Sequence, residues 1–149
     1  MVDALDLKAR DTDAGATLWH LKSSTEHFTG VAVAKFPDGR TQARATFLRG
    51  QKHGLETRWH SNGQIEREQY WQQDKLHGSH THWDEAGNRL WRTEYDHGLP
   101  ARAHSWHPGG QPQGDIIYRD GAVISRIEWD ANGTRRVLPG FTADGTPRR

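Results

Sequence analysis

The sequence predicts an all-β protein: an elongated antiparallel sheet of tandem β-hairpins that repeat about every 23–24 residues. Three observations carry this. Aromatic residues recur at a fixed interval, with Phe36, Trp59, Trp83, Trp106 and Trp129 standing 23, 24, 23 and 23 residues apart. Glycines keep step with them at Gly39, Gly63, Gly87, Gly110 and Gly133. Between the glycines, residues alternate in character, as in Leu55-Glu56-Thr57-Arg58-Trp59-His60, which suits a strand with two unlike faces. Repetition at a period of roughly 20–50 residues marks a repeat architecture. Helices are excluded because Gly recurs too often to leave room for them.

Taken in order, residues 1–15 are polar, with Asp3, Asp6, Asp11 and Asp13, and read as a tail or loose cap. Residues 16–21 include Leu18-Trp19-His20-Leu21 and begin the sheet. Val31-Ala32-Val33-Ala34-Lys35-Phe36 is a second strand, rich in small and β-branched residues. From there the units are superimposable. Eight residues after each turn glycine comes a second aromatic slot, filled by Phe47, Trp71, Tyr95, Tyr118 and Phe141. Three residues further on lies another turn slot, filled by Gly50, Asp74, Gly98, Gly121 and Asp144. Asp38-Gly39, Asn62-Gly63, Gly109-Gly110 and Asn132-Gly133 tolerate positive φ at both residues, as tight hairpin turns demand. Ala86-Gly87 is weaker at its first position. In the fourth unit, Pro100, Pro108, Pro112 and Gly114 predict a wider loop or bulge near Pro108–Gly114. The repeat domain spans 16–141, with about five units, and 142–149 reads as a C-terminal tail. One hairpin is too small to be stable alone; neighbours must bury one another.

Composition agrees with a thin structure. Apolar residues make up 33% of the 149, under the roughly 45–50% of ordinary globular chains, a benchmark that also counts Gly. Seven Trp, three Tyr and four Phe argue against disorder. The net charge of +1 gives no general attraction to nucleic acid or an anionic membrane. There is no cysteine, and no apolar run long enough to span a bilayer. The N-terminus lacks the apolar core of a secretory signal. The expected location is therefore the cytoplasm.

The phrases Arg58-Trp59-His60-Ser61-Asn62-Gly63 and Asp74-Lys75-Leu76-His77-Gly78 resemble the MORN-repeat variant of the YwqK-type bacterial antitoxin family. Trp59, Asn62, Gly63, Tyr70, Trp71, His77 and Gly78 match its pattern, as does Gly50-Gln51-Lys52-His53-Gly54. The third repeat matches through Trp83, Gly87, Tyr95 and Gly98, then departs at Leu99-Pro100-Ala101. The resemblance implies a non-enzymatic hairpin array, with antitoxins or immunity proteins among its members and related eukaryotic repeats acting as scaffolds.

Several constellations invite a chemical reading. His77, His80 and His82 lie close together, and His60 and His107 each follow a slot Trp, a set that zinc could use. The plainer reading, polar-face residues and a recurring His-Gly position, is preferred; no metal and no cofactor are expected. Glu66 and Glu68 share a predicted strand face and could serve a hydrolase, but no nucleophile, base and orienting group can be named. Arg58-Trp59 and Trp91-Arg92 interleave cations and rings, yet charge neutrality disfavours nucleic acid. Trp59, Gly63, Trp71, Gly78, Trp83, Gly87, Tyr95, Trp106, Gly110, Trp129 and Gly133 read as structural repeat positions. The expected function is a non-catalytic antitoxin or immunity protein that masks a toxin domain. Its expected partner face is the polar side of the two best repeats: Glu56, Arg58, His60, Glu66, Glu68, His80 and His82. This face rests on the premise that the Trp side is the buried one. The alternatives are a scaffold that self-associates through free sheet edges, and a His-based metalloprotein or hydrolase.

Overall fold

The computed structural model describes residues 1–11 and 17–148. The elements are β1 (Val2–Asp3), a 3-10 turn (Ala4–Asp6), β2 (Leu7–Asp11), β3 (Thr17–Leu21), β4 (Gly30–Lys35), β5 (Thr41–Leu48), β6 (Gln51–Trp59), β7 (Ile65–Gln72), β8 (Lys75–Trp83), β9 (Arg89–Asp96), β10 (Leu99–Trp106), β11 (Pro112–Arg119), β12 (Ala122–Trp129) and β13 (Arg135–Arg136). The protein is all-β. From β4 to β13 every strand pairs antiparallel with the next in sequence, and β1 adds in parallel beside β4 to complete an 11-stranded sheet. β2 and β3 form a separate hairpin.

Two turn types alternate along the meander. Between β6 and β7, the His60 N–H donates to Gln64 O (2.8 Å) and the Gly63 N–H to His60 O (3.0 Å). Phe36/Arg40, Asp84/Asn88, His107/Gln111 and Asp130/Thr134 repeat the first of these bonds. Only the glycine has positive φ here (Gly63, 91°), which is a type I turn closed by a left-handed glycine. The expected two-residue positive-φ pairs are therefore not what these turns use. Ala86 needs no special conformation before Gly87, because Asp84 Oδ1 accepts the Ala86 and Asn88 N–H groups instead. At the opposite end of the sheet the turns do use such pairs: Arg49-Gly50, Gln73-Asp74, His97-Gly98 and Asp120-Gly121 have positive φ at both residues.

The first four hairpins each carry a bulge at or just before the slot aromatic, at Ala34/Lys35, Arg58/Trp59, His82/Trp83 and Ser105/Trp106. Bulges sharpen the local twist. His53-Gly54 and His77-Gly78 lie inside β6 and β8, where Gly54 and Gly78 supply the positive φ of a second bulge. The fourth unit is not widened. Its turn keeps the His107 N–H to Gln111 O bond (2.9 Å), and the expected bulge falls between Pro112 and Gly114, opposite Trp106, as in the three hairpins before it. Pro100 likewise occupies a register shift. Proline fits where the ladder needs no N–H.

Both ends are covered. Leu7, Phe28, Ala32 and Phe47 form a buried cluster, with Val2, Trp19, Leu21 and Ala45 packed against it. The segment read as a tail or loose cap thus supplies core residues, and β3 is tied on by the Trp19 N–H to Gly50 O bond (2.8 Å). At the other end, Gly145 O accepts the Arg126 N–H (2.6 Å), so the segment read as a tail folds back on β12. The outermost strands of the sheet, β1 and β13, are two residues each; short edge strands are poor templates for further pairing.

From β7 to β12 the main packing is strand against neighbouring strand. The accessible surface is 9448 Å² for 17.0 kDa, against about 7,700 Å² for a compact monomer of that mass. The excess is what a largely one-layer sheet requires, and it explains the low apolar content.

Candidate functional site

Strand pairing sets two rows of side chains side by side on one face of β6–β9. One row runs Glu56, Gln69, His80, Thr93; the other runs Arg58, Arg67, His82, Trp91. Residues two apart on a strand share a face, so the rows are adjacent. Trp71 and Tyr95, from the second aromatic slot, flank the first row: Trp71 bonds to Glu56, and the Tyr95 ring lies 6.1 Å from that of His80.

Glu56 organises one half of this face. Its Oε2 accepts from Lys52 Nζ (2.7 Å), Gln69 Nε2 (2.9 Å) and Trp71 Nε1 (2.8 Å), and Arg67 Nη2 stands 3.9 Å from Oε1. Lys52 Nζ also lies 4.7 Å from the Trp71 ring centre, a cation–π contact. Burial works to raise the Glu56 pKa, but the bond and charge of Lys52 and the bonds from Gln69 and Trp71 outweigh it, so the group stays ionised below its ordinary value of 4.5.

The other half is aromatic. His82 stacks on Trp91, ring centres 4.0 Å apart, and His80 meets the same indole edge-on at 4.9 Å. His80 Nε2 and His82 Nε2 are 3.1 Å apart, so one ring donates to the other. Burial, then the charges of His82 and Arg67, push His80 from 6.5 to about 4, against an opposing pull from Glu56. Burial and Arg67 also lower His82. Both rings are neutral at pH 7.

Three buried nitrogens here lack a hydrogen-bond partner among the described residues: Arg58 Nε, Arg67 Nε and His80 Nδ1. Arg58 Nε is 3.1 Å from Glu66 Oε2, at ion-pair distance without hydrogen-bond alignment. Arg58 and Arg67 stand directly opposite each other, an unfavourable pairing of like charges. Orphaned buried donors are uncommon and call for a cause.

The predicted partner residues do not all share this face. Glu56, Arg58, His80 and His82 do, and Glu66 reaches it from the bulge. Glu68 pairs with Thr57 and Thr81 on the reverse face, so Glu66 and Glu68 are not a carboxylate pair. His60 lies in the turn, where its Nε2 is 3.0 Å from Trp83 O; His107 does the same with Trp129 O at 2.9 Å. These histidines link one repeat to the next. The premise of a buried Trp side also fails in its simple form. Trp59, Trp83, Trp106 and Trp129 are half-buried, while Glu56 on the other face is only 9% exposed. Trp91 and Gln69 belong to the site and were missed; their signal was parity with His82 and His80, which becomes visible only with the strand register.

A second cluster lies at the turn end of β8 and β9. Among the described residues, His77, Asp96 and His97 are the one group of three whose donor atoms all come within 4.8 Å of one another.

No protein-family model matches the chain, and no curated protein matches it. Among solved structures it is similar to a point mutant of S. aureus TarM in complex with fondaparinux, alpha-GlcNAc-glycerol and UDP, at a TM-score of 0.40 and 9% identity, over 80% of this chain. The chain spans 21% of that protein's length.

Proposed function

We propose that the chain is a non-catalytic, protein-binding repeat protein: a cytoplasmic antitoxin or immunity protein of the MORN-variant type that neutralises a cognate toxin by masking it. The observation that carries this reading is the set of orphaned nitrogens of Arg58, Arg67 and His80 beside the half-buried Trp91. A partner that brings carboxylate or carbonyl oxygens to this face would relieve the Arg58–Arg67 repulsion and occupy donors that the chain leaves unmatched. The charged side chains here are Lys52, Arg58 and Arg67 against Glu56 and Glu66, a small positive excess that favours an acidic contact surface. Trp and Arg are the residues most often found as interface anchors. A standard interface takes roughly 800 Å² from each partner, under a tenth of the 9448 Å² available.

The rival readings have less support. Two-residue edge strands give a self-associating scaffold little to pair through. Opposite-face placement of Glu66 and Glu68 removes the hydrolase pair. Among the described residues no helix is long and apolar enough to cross a membrane.

The test is co-expression with the product of the adjacent gene, scored by growth rescue and co-purification. Rescue by the native chain, lost in Arg67→Glu and in Trp91→Ala while both remain folded, is the expected result. If the native chain neither binds nor rescues, the antitoxin reading fails; if both variants rescue fully, this face is not the one that binds.

A further inference from the structure

We propose that His77, Asp96 and His97 form a zinc-class metal site that staples the β9–β10 turn to the preceding hairpin. His97 Nδ1 lies 2.6 Å and His77 Nδ1 3.5 Å from Asp96 Oδ1. Ligand atoms on one tetrahedral zinc are separated by about 3–3.5 Å, given bonds of about 2.0–2.2 Å. All three donor atoms lie within 4.8 Å of one another, so they need to draw together by at most about 1.5 Å to share an ion, and His77 Nδ1 would exchange its long 3.5 Å contact with the His97 backbone N–H for the metal. Two imidazoles and a carboxylate are a donor set that zinc accepts, with the outer position left to water. The imidazoles meet edge to face at 4.9 Å, with both Nδ1 atoms turned toward the carboxylate.

The repeat supplies an internal control. This turn and the one before it dock on the preceding hairpin through the same backbone bond, Gly98 N–H to Leu76 O (2.8 Å) here and Asp74 N–H to Lys52 O (3.0 Å) one repeat earlier. The scaffold is therefore common to both copies. His53 stands where His77 does, but Gln72 and Gln73 replace Asp96 and His97. One copy holds three ligands and its neighbour one, on the same backbone. Nothing in the docking bond requires His97; Gln73 takes the same left-handed conformation, with φ of 52° against 47° for His97. The cluster is also independent of the Glu56–Trp91 face, so it stands or falls apart from the antitoxin reading.

That equivalence yields variants that should not disturb the fold. His97→Gln and Asp96→Gln each copy the preceding repeat, and His53→Gln is the matched control. Titration of the untagged full chain with zinc chloride at a pH of about 7.5 should show one equivalent bound tighter than about 100 µM. Affinity should fall in His97→Gln and Asp96→Gln by more than the roughly 10–100-fold that changes outside the ligand set produce, and stay unchanged in His53→Gln. Binding should also raise the melting temperature of the native chain. Absence of saturable zinc binding overturns the proposal. So does native-like binding by His97→Gln or Asp96→Gln, which would place the ion elsewhere.

Discussion

Glu56→Ala should be among the most damaging single changes in the middle of the sheet. The substitution removes the acceptor shared by Lys52, Gln69 and Trp71. Gln69 is only 5% exposed, so its orphaned amide costs about 1–3 kcal/mol. The Trp71 N–H, partly covered, loses about 1 kcal/mol more on the same basis. Lys52 can turn to water, and its ion pair contributes well under about 1 kcal/mol after screening. The sum is about 2–4 kcal/mol, overlapping the cost of breaking a buried charged pair from one side. With a urea m-value of about 2 kcal/mol/M, the unfolding midpoint should fall by about 1–2 M. Glu56→Gln keeps one acceptor and should lose about half as much. Equilibrium urea unfolding followed by tryptophan fluorescence measures both. A midpoint change below about 0.5 M for Glu56→Ala would show that the network is a surface decoration and refute the reasoning.

Acid should destabilise the protein in two steps. His80 is held from 6.5 down to about 4, so the unfolded chain binds more protons in that window, and stability falls as pH drops from 6.5 toward 4. The full shift corresponds to about 3 kcal/mol, which screening of the part-exposed ring reduces to about 1–2 kcal/mol. His82, Arg67, Glu56 and Tyr95 are the groups that face it. Glu56, with a lowered pKa, adds a second loss below its ordinary 4.5; His80→Gln should shrink the upper step of a stability–pH profile to the part that the lowered His82 supplies and leave the lower one. Phe47→Ala, in the one apolar cluster among the described residues, should cost about 3–5 kcal/mol by urea unfolding and loosen the β2–β3 hairpin in hydrogen exchange. At Gly145 a methyl would stand 2.6 Å from Ile127 Cγ1 and 2.9 Å from Arg126 O, on a backbone at φ 88°; Gly145→Ala should release the C-terminal cap, read as faster exchange of the Arg126 amide.

The fold was legible because its spacing elements are chemically distinctive. Gly63 and its relatives are forced by a left-handed backbone, and the slot aromatics keep step with them, so the period and the number of hairpins follow from residue identity, while β1 and the separate β2–β3 hairpin do not. Burial was not legible in the same way. Alternation in Leu55-Glu56-Thr57-Arg58-Trp59-His60 separates two faces, and the ordinary rule buries the apolar one. Here Leu55 is 48% exposed and Glu56 9%. With little second layer over β6, burial depends on how far neighbouring side chains reach, and Lys52, Trp71 and Arg67 all reach over Glu56. The turn end was hidden for a related reason. His77 and His97 are 20 residues apart in sequence, and only the docking of one turn on the hairpin before it brings them together.

Strand register also shows how one backbone carries different chemistry along its length. A single row crosses the whole sheet through Ala32, Ala45, Glu56, Gln69, His80, Thr93, Ala103, Ile116 and Arg126. These residues are the same two repeat positions read alternately, one repeat after another. Under the N-terminal hairpin the pair is Ala32 and Ala45, small enough for Phe47 and Phe28 to pack across it. Uncovered in the second repeat it becomes Glu56 and Gln69, and in the third His80 and Thr93. The fourth returns to Ala103 and Ile116. A repeat that needed this row for its own stability would hold it constant, as it holds the turn glycines. Its change from apolar to ionic to imidazole and back is not set by what the hairpin demands. The two repeats with polar pairs are also those whose Arg58, Arg67 and His80 leave buried nitrogens unmatched. Glu56 and Gln69 tie neighbouring strands together through their shared hydrogen bond, whereas the nitrogens of Arg58, Arg67 and His80 are left unmatched, and it is these that the proposed partner would take up.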